Sequence, residues 1–450
     1  MVVTTFFKQL NKSDRLGRMN DNSILYACLR PLVKTLIHIF FRRVRVLGGE
    51  NIPPKGAVIL IANHQNALMD PLVCCVLLKR QIHWLTRADV FRSPVISRLL
   101  HKLNMMPVYR SHDKSDIRKD NDPVFRECVR RLQNGSIVAL FPEGTHHHGK
   151  YLKTFKKGVA RIALAAIESK SCESLSIIPV GIDYENVGAW GYDLSISVGK
   201  PMTLEKYADF LASDSKAVQL ITQEAQEALS REVVDCKSAE IATYFNILEN
   251  VIGDILNEQM NSNASNLFLQ MKQSGMLDEQ YYIEEDWMAA AELLLEWEHN
   301  YHLKYQHGMM AAEVISFQEV FFSILWLVFL PVHLFHLPLR HLVLWLTRKY
   351  VRDSHFNSSF KLFAAPLIWI IGMSALFMVI RFFGFSLGWF SAAIIISMLY
   401  LCFWPFLTEI PSRLKGRNCF RRLIDRNTAK NEWLIICEKT KALIHEIRGR

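Results

Sequence analysis

Between residues 43 and 200 the chain alternates short apolar runs with stretches of helical period. The runs read as strands are Val44–Leu47, Ala57–Ala62, Ile82–Thr86, Met105–Tyr109, Ser136–Phe141, Ser176–Gly181 and Leu194–Val198. Helices over Pro71–Leu78, Pro123–Gln133 and Val159–Ser169 lie between them. The alternation predicts an α/β domain: a mixed, largely parallel sheet flanked by helices, over residues 43–202. Ahead of it, Ile24 to Phe41 carries apolar side chains at Leu25, Leu29, Leu32, Val33, Leu36, Ile37, Ile39 and Phe40, flanked by Arg30, Lys34, Arg42 and Arg43. Such a basic amphipathic helix within residues 1–42 suits a membrane interface, or equally a helix packed on its own domain.

Beyond the sheet the pattern changes twice. Residues 203–310 are almost all helix formers, rich in Glu, Gln, Ala and Leu, with no catalytic-looking cluster. Residues 311–410 hold three hydrophobic blocks. Phe321–Leu337 is interrupted by Pro331, His333 and His336, with Pro338 just beyond, whereas Leu362–Ile380 and Phe382–Leu407 are free of charge. A membrane span needs roughly 20 apolar residues, so 362–380 and 383–407 qualify and form a helical hairpin around Arg381 and the Gly384–Gly388 turn. Arg348, Lys349, Arg352 and Lys361 precede the hairpin; Arg413, Lys415, Arg417, Arg421 and Arg422 follow it, leading into a basic tail at 411–450. Both flanks are therefore expected to face the cytoplasm. If the α/β domain lies there too, the segment 317–346 is re-entrant or interfacial rather than a crossing.

Composition adds a partner class. The net charge of +10 and a hydrophobic content of 50% suit a phosphate-bearing, apolar partner such as an anionic membrane. Nucleic acid fits less well, since zinc-finger spacing, an RNP-like aromatic motif and a lone basic helix are all missing. Nine scattered cysteines without a CxxC fit a reducing compartment, and the opening Met1–Lys8 lacks the apolar core of a secretory signal.

Two short stretches carry the candidate chemistry. In Asn63-His-Gln-Asn-Ala-Leu-Met-Asp70, His64 follows a buried strand and Asp70 precedes Pro71, an N-cap and N1 pair that starts a helix. A histidine with a carboxylate nearby is the minimum apparatus for taking a proton from an alcohol. Six positions are a poor match to one helical face, so His64 is expected in the loop and Asp70 at the helix start. No serine or cysteine with triad-like surroundings accompanies the pair, which favours direct attack by a substrate hydroxyl. The second stretch is Phe141-Pro-Glu-Gly-Thr145.

In order, His64 and Asp70, Arg110 after Met105–Tyr109, Phe141–Thr145, and Ile177-Ile-Pro-Val-Gly181 resemble the four-block pattern of the glycerolipid acyltransferase family. The family includes glycerol-3-phosphate and 1-acylglycerol-3-phosphate O-acyltransferases, and the likeness covers about residues 40–200. The lead-in Val44–Pro54 and the stretch Thr86–Pro94 share it. The resemblance implies His64 as base and Asp70 as its orienting partner. It places Arg110, Glu143, Gly144 and Thr145 around the acceptor's phosphate. Arg87, Lys156 and Lys157 are further cations in the same region, and Lys157 stands before a helix N-terminus, which favours an anion. Glu143 would orient cations or bond the glycerol.

Two departures accompany the likeness. Five residues separate His64 from Asp70 where the common form has four, as in a branch with fungal glycerol-3-phosphate and dihydroxyacetone-phosphate acyltransferases. The usual basic residue after Glu-Gly-Thr is His146, a weaker phosphate ligand when neutral. The run His146-His147-His148 does not imply a metal, because adjacent residues converge poorly on one ion and no His/Cys/carboxylate set supports them. The expected activity is acyl transfer from a thioester, acyl-CoA or acyl-carrier protein, to a glycerol phosphate hydroxyl in a membrane, with no cofactor. The rivals are a lipid or thioester hydrolase using the same pair, and a non-catalytic protein with a degenerate domain.

Overall fold

The computed structural model describes residues 24–109, 117–169, 174–211, 214–236, 238–243, 245, 286–301, 324, 327–407, 431–432, 434–440 and 442. All seven expected strands form: β1 (Val44–Leu47), β2 (Val58–Ala62), β3 (Ile82–Arg87), β4 (Met105–Val108), β5 (Ile137–Leu140), β6 (Ser176–Tyr184) and β7 (Leu194–Val198). A short β8 (Met202–Thr203) joins them. The order across the sheet is β1-β7-β6-β2-β5-β3-β4, with β8 on β6. Pairing is parallel except where β6 meets β7 and β8. β6 outruns its apolar run because the antiparallel ladder continues from Val180↔Val198 to Tyr184↔Leu194, carrying polar Asp183 with it.

Period-two alternation sorts the strand side chains into two cores. On one face Val58, Leu60, Ala62, Trp84, Ala139, Val180 and Ile196 meet α1 (Ile24–Phe40) and α2 (Met69–Leu77). On the other, Ile59, Ile61, Val138 and Ile177 meet α4 (Ile117–Gln133), α5 (Gly158–Glu168) and α6 (Ser215–Ser230), while α3 (Pro94–Lys102) leads into β4. The result is a helix–sheet–helix sandwich. α1 buries Val33, Ile37 and Phe40 in the first core, leaving Leu32 and Ile39 exposed. Its Arg30 donates to the Leu78 carbonyl at the end of α2.

Two helix starts differ from expectation. α4 begins six residues earlier than the proline rule placed it, with Pro123 inside it. Asp70 is not an N-cap. The N–H groups of Met69 and Asp70 both reach the Asn66 carbonyl, so α2 starts two residues sooner and Leu68 takes the cap position.

Within 203–310, α6 packs on the sheet and α7 (Asp286–Tyr301) is a second helix. The apolar region gives α8 (Leu330–Tyr350), α9 (Asn357–Phe382) and α10 (Leu387–Leu407). α8 is continuous through Pro338, and Arg381 lies in the last turn of α9 rather than in the turn that follows. Among the described residues, Ser354–Phe382 alone is long and apolar enough to cross a membrane, and Gly388–Tyr400 is a shorter apolar helix. Helices α8 and α9 meet at Gly372, where a Cβ would stand 2.7 Å from Leu339. The foot of α9 is tied to the α/β domain: Lys361 donates to the Gly188 carbonyl at 2.7 Å, Ser358 donates to that of Val187, and Leu362 enters the first core.

Candidate active site

β2 and β5 are parallel neighbours, with Ile61 opposite Leu140, so the chain leaving both strands arrives at one sheet edge. One loop brings His64 and the other brings Phe141–Thr145. A carbonyl–amide bond, His147 N–H to His64 O at 3.0 Å, ties them together. Asn63 anchors its loop to β6 by bonding both the N–H and the carbonyl of Ile182.

His64 Nδ1 lies 2.7 Å from Asp70 Oδ2. A carboxylate only accepts, so Nδ1 carries the hydrogen and Nε2 keeps its lone pair. Nε2 has no hydrogen-bond partner among the described residues. The ring stacks on Phe141, centroids 3.9 Å apart and 5° from parallel, which holds its plane. Asp70 is fully buried. Its Oδ2 also accepts from the Asn66 N–H at 2.8 Å, and its Oδ1 accepts from the Tyr184 hydroxyl at 2.7 Å. Burial first, then the Asp70 charge, pushes the Tyr184 phenol well up, so it stays a donor. Replacing Tyr184 with Phe leaves Oδ1 buried without a donor. Tyr184→Phe is expected to cost about 1–3 kcal/mol in a denaturant titration, and an unchanged midpoint would contradict this wiring.

Glu143 sits at the hub of the corner and is buried. Oε1 accepts from the His64 N–H and Oε2 from the Lys153 N–H, each at 3.1 Å. Glu143 thus braces two loops through their backbones, and its Oε2 also lies 3.4 Å from His147 Nδ1. The following Gly144 adopts φ +76, a left-handed turn that favours glycine. Burial raises the Glu143 carboxyl from its ordinary value to about 7, against the two amides that lower it. A carboxyl raised on folding adds stability below its unfolded pKa and loses it as pH climbs through the folded value. Relative to wild type, Glu143→Gln is therefore expected to gain stability between about pH 4.5 and 7, by at most roughly 1.4 kcal/mol per pH unit. Melting curves across that range check it; a constant difference would refute it.

The expected cations divide. Lys156 packs along Gly144, with Cγ 3.5 Å from where a Cβ would stand, and Lys157 stands at the N-cap position of α5 without a side-chain bond to it. Arg87 is half-exposed and pairs with Asp89 at 2.5 Å. Arg110 lies outside the described residues. Lys153, which the sequence reading passed over, reaches the Thr145 hydroxyl at 3.3 Å. Its only sequence signal is membership of the same basic stretch as Lys156 and Lys157. His146 meets the His64 ring edge-on at 5.4 Å. Burial and neighbouring imidazoles lower its pKa, so it is mainly neutral near pH 7.

Both motifs fall within a stretch that is similar to known proteins. Residues 25–183 match the family model described as Acyltransferase. A 1-acyl-sn-glycerol-3-phosphate acyltransferase of Borreliella burgdorferi is 27% identical over 155 residues, 34% of this chain and 57% of the relative. Residues 25–183 are therefore similar to the glycerolipid acyltransferases. The chloroplastic 1-acyl-sn-glycerol-3-phosphate acyltransferase LPAT1 of Arabidopsis thaliana is 24% identical to the chain over 182 residues, 39% of this chain and 48% of that one. Glycerol-3-phosphate O-acyltransferase 2 of Saccharomyces cerevisiae is 28% identical over 91 residues, 20% of this chain and 12% of that one. The chain spans about half the length of the first curated relatives it matches. A solved 1-acyl-sn-glycerophosphate acyltransferase from Thermotoga maritima overlays with a TM-score of 0.33 and 20% identity, over 48% of this chain and 85% of that one. The acyltransferase domain thus contains both candidate motifs, and the region after residue 183 lies beyond the family match.

Proposed function

We propose that the chain moves a fatty acyl group from an acyl thioester to a hydroxyl of glycerol 3-phosphate or its 1-acyl derivative. One observation carries the reading. His64 is oriented through Nδ1 by a buried carboxylate, and its Nε2 is unpartnered beside the Glu-Gly-Thr corner. Nε2 takes the hydroxyl proton as the oxygen attacks the thioester carbonyl. The C–S bond then breaks, and the imidazolium returns the proton to the leaving thiolate. The donor, acyl-CoA or acyl-carrier protein, is a substrate, and the step calls on no cofactor. Lys153, Lys156 and Lys157, with the amides around Gly144 and at the start of α5, offer the acceptor's phosphate its cations and donors. Arg110 is assigned to that cradle by its motif position alone, and Arg87 joins it by exchanging Asp89 for phosphate.

The membrane enters through α9. This long apolar helix starts on the β6–β7 loop, whose Val187 carbonyl accepts from both Ser358 and Asn66. Asn66 in turn holds Asp70, so the dyad lies at the helix's foot. Leu367, Ile371, Met378 and Phe382 expose apolar surface along α9, as lipid contact requires. We read α9 and α10 as a membrane hairpin with the domain on the cytoplasmic side, 317–346 re-entrant and α1 at the interface. A lipid-making enzyme gains from this placement because acyl chain and product both stay in the bilayer.

Thiol release from a long-chain acyl thioester, followed with and without each acceptor, tests the proposal. Release that depends on glycerol 3-phosphate or its 1-acyl derivative supports it. Equal release without acceptor, with free fatty acid as product, makes the protein a hydrolase instead.

A further inference from the structure

The run His146-His147-His148 does not converge on itself, but two of its rings converge on a segment more than 200 residues later. His146 Nε2 lies 3.2 Å from Asp353 Oδ2, and His148 stacks on His355 with centroids 3.7 Å apart. His146 and His355 rings stand 4.2 Å apart. Asp353 and His355 belong to the turn between α8 and α9, at the foot of the long apolar helix. One donor atom each from His146, Asp353 and His355 lies within 4.8 Å of the other two.

We propose that His146, Asp353 and His355 form a zinc-type metal site that clasps the Glu-Gly-Thr corner of the acyltransferase domain to the start of α9. Three features favour an ion over a plain hydrogen-bond cluster. First, His355 Nε2 is a buried nitrogen without a hydrogen-bond partner. Secondly, the Asp353 carboxylate serves two imidazoles at once, at 3.2 Å and 2.7 Å, as a ligand held by neighbouring donors would. Thirdly, the Asp353 side chain is 46% exposed, which gives an ion an entry path. Two imidazoles and one carboxylate are borderline-soft donors that suit zinc and its neighbours in the transition series, and suit magnesium or calcium poorly. Zinc bonds of about 2.0–2.2 Å bring tetrahedral ligands to roughly 3.3 Å from each other, a modest side-chain closure from the present spacing. The fourth position stays open to water, and Ser354, within 3.4 Å of His148 Nε2, links the second imidazole of the loop to the same turn.

The clasp stands apart from the acyl-transfer reading, because its test reads metal and not activity. Untagged full-length protein in detergent is stripped with a chelator and titrated with Zn²⁺ against a chromophoric competitor. The expected result is one equivalent per chain and a raised melting midpoint. His355→Ala and Asp353→Ala should weaken that equivalent by more than about tenfold, and His38→Ala, an exposed histidine of α1, should bind as wild type does. His355→Gln with its circular dichroism spectrum recorded covers the case in which an alanine variant unfolds. Cobalt(II) substitution of wild type adds a variant-free readout, a ligand-field spectrum typical of tetrahedral nitrogen and oxygen ligation. Wild type without a stoichiometric equivalent, or His355 and Asp353 variants that are folded and bind as tightly as wild type, would overturn the site.

Discussion

His64→Ala is expected to lower acyl transfer by about 10²–10⁴-fold, the usual worth of a general base, without disturbing the fold. The imidazole is held through Nδ1 by a fully buried carboxylate, which leaves Nε2 as the nitrogen poised to take a proton. Its removal leaves little unsatisfied. Asp70 Oδ2 keeps the Asn66 N–H, Oδ1 keeps Tyr184, and the His64 backbone bonds to Glu143 and His147 involve no side-chain atom of His64. Far-UV circular dichroism should match wild type, while thioester-dependent product falls to background. Activity near wild type in the folded variant would remove the imidazole from the chemistry.

Asp70→Asn is expected to be nearly as severe, by about 10³–10⁴-fold, for a different reason. In wild type the two carboxylate oxygens accept from three donors: His64 Nδ1–H, the Asn66 N–H and the Tyr184 hydroxyl. An amide has one acceptor oxygen and presents N–H where a lone pair stood. If that N–H faces His64, Nδ1 must become the acceptor, the hydrogen moves to Nε2, and the base is lost. If it faces Tyr184, a donor meets a donor inside a fully buried site. Stability should therefore also fall, by about 1–3 kcal/mol. Measured kcat and a denaturant melt separate the two effects. Turnover within threefold of wild type would show that the carboxylate does not set the tautomer.

Much of this site was legible in the linear chain. Apolar runs located every long strand, because a strand covered on both faces has no polar option, as Val58–Ala62 shows. His64 and Glu143 were readable as neighbours once their loops were placed at the ends of parallel strands. Helix starts were less legible. Asp70 followed by Pro71 imitates a cap, yet the turn closes on Asn66 and the carboxylate reaches back instead. What lies far apart in sequence was not legible at all. Tyr184 is an ordinary strand tyrosine until β6 extends past its apolar run to meet Asp70. Asp353 and His355 gain meaning only when α9 docks its foot on the β6–β7 loop. For Glu143 the sequence left open whether it orients cations or bonds the glycerol, because motifs show residue type and not direction. Its bonds to the His64 and Lys153 amides show up only in the folded chain.

The most direct measurement offers purified protein a labelled long-chain acyl thioester with glycerol 3-phosphate or its 1-acyl derivative, and resolves the products by chromatography. Wild type should place the label in a glycerol phosphate ester with one acceptor or both, and His64→Ala should leave it on the thioester. Equal ester formation by the two proteins, or no ester from wild type with either acceptor, would contradict the account.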